Sequence, residues 1–120
     1  MPPSHILTKH QKEKIIKCIS QDEQHKLITF LNKEVITAEK EIGIKGSRWN
    51  LLHVCAKYNA SECMQKLLKN IYQQDKEAYL EIVNSQTIEG YSPLMISVIY
   101  QSHNTLALIL KLGGADLSQI

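Results

Sequence analysis

An all-α fold is predicted, built as a stack of about three helix pairs joined by short hairpin connections that need not register as a sheet. Three observations predict it. The segment Gly90-Tyr91-Ser92-Pro93-Leu94-Met95-Ile96-Ser97-Val98, followed by Leu106-Ala107-Leu108-Ile109-Leu110, repeats the internal spacing of Asn50-Leu51-Leu52-His53-Val54-Cys55-Ala56, followed by Cys63-Met64-Gln65-Lys66-Leu67-Leu68. Each copy opens with a helix-start signal: Asn50 can cap one turn, and Ser92 can cap the other with Pro93 presetting φ at the first helical position. The middle of each inner helix also carries small residues, Cys55-Ala56 and Ser97-Val98, which let a neighbouring helix approach closely.

In chain order, residues 6–33 read as a degenerate N-terminal capping repeat. Ile15, Cys18 and Ile19 lie on its first helix and Leu27, Phe30 and Leu31 on its second. Leu27 and Phe30-Leu31 match Met64 and Leu67-Leu68 at a constant offset of 37. Lys9, Lys12, Lys14 and Lys17 surround few apolar residues, as suits a terminal repeat with one side in water. They could touch phosphate or an acidic partner, but a solvated helix face is the simpler reading, and nucleic-acid binding is not expected.

Residues 46–82 read as a repeat with an insertion, which lies between Ile71 and Val83. There Asp75 is a plausible N-cap ahead of good helix formers, and an added turn or two of helix is expected. Residues 83–120 read as the C-terminal repeat of a single domain, 1–120. Its second helix, Leu106 to Leu112, has almost no polar face, whereas the equivalent helix around Glu62, Gln65, Lys66 and Lys69 is amphipathic. That repeat therefore reads as uncapped, and its apolar surface, including Leu108 and Leu112, is expected to be covered by a partner protein, a second copy of the chain or further repeats.

These residues resemble the ankyrin repeat, whose signature T-P-L-H-x-A opens the first of two antiparallel helices. Ser92-Pro93-Leu94 carries its opening and Leu52-His53-Val54-Cys55-Ala56 its second half; Val83-Asn84 and Gly114-Ala115-Asp116-Leu117 resemble the segment between repeats. Offsets of 37 and 42 exceed the family's period, and Arg48 stands where its turn glycine would fall, so a hairpin of different shape is expected there. The resemblance implies that His53 braces backbone between repeats. It also implies a concave partner-binding face carrying Trp49, Lys57, Tyr58, Tyr91 and Tyr100, although any of the aromatics could instead fill gaps between repeats.

Composition narrows the function classes. The chain has 120 residues, 43% hydrophobic and 22% charged, enough for one modest core. Its charge of +2 is unevenly spread: ten basic against six acidic side chains in residues 1–60, four against six in 61–120. Three cysteines without a C-x-x-C pair, and an N-terminus without an apolar signal core, fit an intracellular, cytoplasmic protein. The longest apolar run, Leu106 to Leu110, is far too short to span a bilayer.

Candidate chemistry finds little support. His53, Cys55, Glu62 and Cys63 suggest a metal or thiol site, but on a helix His53 and Cys55 point in nearly opposite directions. Cys18 and Cys55 read as compact buried apolar residues, and His5, His10, His25 and His103 as scattered exposed ones. No phosphate-cradling glycine motif occurs. The expectation is a non-catalytic protein–protein interaction module or small scaffold subunit, without cofactor, metal or small-molecule substrate. An effector or inhibitor that masks a regulatory or host protein is the alternative.

Overall fold

The computed structural model describes residues 6–112. It contains helices α1 (Lys9–Ser20), α2 (Gln24–Glu34), α3 (Leu51–Tyr58), α4 (Ser61–Gln74), α5 (Lys76–Val83), α6 (Pro93–Ile99) and α7 (His103–Leu112), with no strand among the described residues. Helices α1/α2, α3/α4 and α6/α7 form antiparallel pairs. Inner helix α3 sits between α1 and α6, and outer helix α4 between α2 and α7.

Local chemistry sets most helix starts. Thr8 and Gln11 form a reciprocal capping box on α1, Asn50 and His53 do the same on α3, and Ser92 Oγ accepts from Met95 N–H ahead of Pro93 on α6. The expected inserted helix is α5: the Asp75 carboxylate accepts from Glu77 and Ala78 N–H at 3.0 and 3.1 Å. It packs on α4, with Tyr79 edge-on to Tyr72 at 5.3 Å between ring centroids.

Outer helices α4 and α7 are capped from the preceding pair. Asp22 accepts from Glu62 and Cys63 N–H at 3.3 and 2.9 Å, and Asn59 Oδ1 accepts from Asn104 and Thr105 N–H at 2.9 and 3.1 Å. Asp22 and Asn59 lie 37 residues apart at equivalent turns, both with left-handed backbone (φ 52° and 57°). Each places a side-chain oxygen at the start of the next outer helix, where the backbone N–H groups lack helical partners.

The core runs along the axis of the stack. Ile15 and Ile19 of α1, Leu52, Cys55 and Ala56 of α3, Met64 and Leu67 of α4, and Leu94 and Ile109 of the last pair are all buried. Cys55 and Ala56 are fully enclosed, so small side chains occupy the place of closest helix approach. Ser97 is likewise enclosed, but Val98, grouped with it in the sequence as a close-packing residue, is 41% exposed. Among the described helices α6 packs mainly on α3 and α7, so the close approach expected at Val98 has no described neighbour to test it.

Candidate protein-binding face

Two hairpins lead into the inner helices. The first closes with Ile42 N–H donating to Trp49 O at 2.7 Å, the second with Thr87 N–H donating to Tyr91 O at 2.9 Å. Trp49 and Tyr91 are equivalent, so the first hairpin is three residues longer. Arg48 takes φ +62° where the equivalent Gly90 takes +92°. The turn thus keeps its left-handed residue without glycine, at a strain of about 1 kcal/mol. Glu41 offsets it, accepting from Arg48 and Gly46 N–H at 2.7 and 3.0 Å; these two bonds hold its carboxyl below the usual range. The hairpins join where Ile88 N–H donates to Ser47 O at 2.8 Å.

Beneath them His53 is fully buried. Its Nδ1 accepts from Asn50 N–H at 3.0 Å, which puts the proton on Nε2, and Nε2–H donates to Ser85 O at 2.9 Å. One imidazole thus links the start of α3 to the segment leading into the next repeat. Burial drives its pKa down to about 4, despite the opposing pull of the Ser85 and Tyr91 backbone, and the ring stays neutral. Asn50 Nδ2 donates to Ser85 Oγ at 2.8 Å and strengthens the same junction.

Between the hairpins and the inner helices lies an open groove of about 300 Å³. Trp49, Lys57, Tyr58 and Tyr100 line it together with Ile16, Ile42, Ile44, Val54 and Glu89. Lys57 Nζ lies 5.5 Å from the Tyr58 ring centroid and 5.9 Å from that of Tyr100, within reach of a cation–π attraction to both. Tyr58 and Tyr100 are exposed, whereas Trp49 is half-buried with its ring 5.8 Å from that of His53. Trp49 therefore both fills a gap between structural elements and borders the groove.

The remaining named residues lie elsewhere. Tyr91 does not line this groove; it is half-buried against the core, its N–H donating to Thr87 Oγ1 at 3.2 Å. Leu108 is half-buried against the core, and Leu112 borders a separate depression beside Leu68, Lys69, Tyr72 and Tyr79. The apolar floor from Ile16, Ile42 and Val54 was missed by the sequence reading. Its only signal was an apolar residue on each of two inner helices.

Thiol and metal chemistry find no geometry among the described residues. Cys18, Cys55 and Cys63 are buried, and burial raises all three thiol pKa values. No group of three His, Cys, Asp or Glu side chains that could hold a metal ion occurs among the described residues. His10, His25 and His103 are exposed, and His5 lies outside the described residues. No described helix is long and apolar enough to cross a membrane.

A search of curated proteins found no match. A family model describing ankyrin repeats, in three copies, matches residues 5–120. That span takes in the paired helices, both hairpins and the His53 brace. Repeats of this type indicate a protein–protein interaction module. The chain belongs to the ankyrin repeat family.

Proposed function

We propose that the chain is a non-catalytic, intracellular interaction module that holds a partner protein in the groove between its hairpins and inner helices. One observation carries the reading: the Lys57 ammonium held between two exposed tyrosine rings over an apolar floor. Exposed tyrosines are among the side chains that dominate binding energy at protein interfaces, and Lys57 lies within cation–π reach of both rings. Trp49 and the longer hairpin form one wall.

The deciding experiment is affinity capture with the wild-type chain and with Tyr58→Ala/Tyr100→Ala, quantified by mass spectrometry. Loss of the main partner from a variant with unchanged circular dichroism is the expected result; equal recovery would reject the groove as the binding face. A scaffold subunit should recover a stable assembly. A masking inhibitor should recover one partner whose own activity falls on binding.

The end of the stack at α6 and α7 supports a second contact. Val98 and Leu110 are each more than two-fifths exposed there, while Leu112, equally exposed, borders the depression beside α4 and α5. We read this surface, with the half-buried Leu108, as covered by a partner, a second copy or further repeats. Light scattering that shows association reversed by Leu110→Lys would support a second copy.

A further inference from the structure

At the opposite end of the stack lies a surface that plays no part in the groove. Helices α1 and α2 enclose an open trench of about 610 Å³, lined by His10 and Lys14 from α1 and by His25, Lys26, Thr29, Phe30 and Lys33 from α2. His10 and Lys14 stand one turn apart, as do Lys26 and Phe30, while Lys33 continues the α2 row. No carboxylate lines the trench. Of the nearby acids, Glu23 is paired with Lys26 at 3.0 Å, and Glu34 accepts from Gln11 Nε2 at 3.0 Å. Lys26 remains 66% exposed despite its pairing.

The arrangement differs from the lysine series along α1. Lys12 is committed to the longer hairpin, its ammonium donating to Gly43 O at 3.1 Å, and neither Lys9 nor Lys17 lines the trench. Only Lys14 of that series does so. Two antiparallel helices therefore bring together charges that no single stretch of sequence contains.

We infer that this trench binds an acidic peptide segment of a partner protein. No carboxylate lines the trench beside Lys14 and Lys33, and Lys26 stays 66% exposed despite its pairing with Glu23, so charge complementarity selects an anion. Phe30 supplies an apolar floor and is the one Phe, Tyr or Trp of the trench lining, whereas single-stranded nucleic acids use several aromatic rings on which successive bases stack. Lys26 and Lys33 are seven residues apart on one helix, a rise of about 10 Å. An extended peptide covers that distance in about three residues. Because alternate side chains of an extended peptide share a face, the best ligand carries carboxylates four residues apart, about 13 Å and within reach of the flexible lysines, with an apolar side chain midway between them over Phe30. This site is independent of the groove around Lys57.

Fluorescence polarisation tests it directly. The probe is a labelled peptide with aspartates at that spacing around a leucine, titrated with the full chain at low salt. Binding should weaken steeply as salt rises and fall about tenfold or more in Lys14→Glu/Lys33→Glu, with Lys69→Glu within about twofold of wild type. All these lysines are solvent-facing or partly so, and circular dichroism with Lys14→Gln/Lys33→Gln separates loss of charge from misfolding. Equal affinity in the reversed variant would overturn the site. So would tighter, equally Lys14- and Lys33-dependent binding of an oligonucleotide of matched charge or of anionic vesicles. Self-association abolished by the same reversal would reassign the trench to a second copy.

Discussion

The middle and last helix pairs share one register, 42 residues apart, yet equivalent positions live in different surroundings. Ala56 is fully buried and its counterpart Val98 is 41% exposed; Leu68 is 2% exposed and Leu110 47%. His53 bonds both to Asn50 and to the next repeat's approach, whereas Met95 in its place carries no such brace. The contrast teaches that sequence sets the position of a side chain in a repeat, while the neighbouring repeat sets its burial. Stability should therefore be concentrated in the middle pair.

Removing equivalent methyl groups gives the largest test of that contrast. Leu68→Ala should cost about 3 kcal/mol by urea denaturation, through lost burial plus a residual cavity. Leu110→Ala, with half its surface already in solvent, should cost less than about 1 kcal/mol. Similar losses at both sites would mean that the last pair is covered as fully as the middle one.

Acid should expose the second asymmetry. His53 has an ordinary value of 6.5 when unfolded and one lowered to about 4 in the fold, so the unfolded chain binds more protons between these limits. The stability that goes with the neutral ring is present above pH 6.5 and is lost as pH falls toward 4. Between pH 7 and 5 the loss should be about 2 kcal/mol. His53→Gln should be less stable at neutral pH but should lack that part of the slope. An unchanged slope would place the titrating group elsewhere.

Much of this construction was legible because it is local. Asn50, Asp75 and Ser92 declare helix starts within three or four residues of themselves, and Cys55-Ala56 marks the closest packing by size alone. The groove was only half legible. Lys57, Tyr58 and Tyr100 line one groove together with Trp49, whereas Tyr91, packed against the core as Trp49 is, does not line it. The bonds from Asp22 and Asn59 to the next outer helix, and the Lys14, Lys26 and Lys33 trench, had no pattern to reveal them. They join residues that only helix packing brings together.

Those inter-repeat caps supply the smallest and most specific test. Asp22, Asn59 and Gln101 occupy equivalent turns with φ of 52°, 57° and 56°, but only Asp22 and Asn59 bond to a described helix beyond. Alanine would confuse two effects, since it removes the cap and keeps a left-handed backbone strained. Glycine relieves that strain and isolates the cap. Asn59→Gly should therefore lose about 1 kcal/mol, the cap outweighing the backbone gain. Gln101→Gly should be neutral or stabilising by up to about 1 kcal/mol, because it relieves the same strain with no cap to lose. Differential scanning calorimetry of the two variants should show Tm shifts of opposite sign, or a shift for Asn59→Gly alone. An equal loss at Gln101 would show that this turn also caps a helix, and that the stack continues beyond α7.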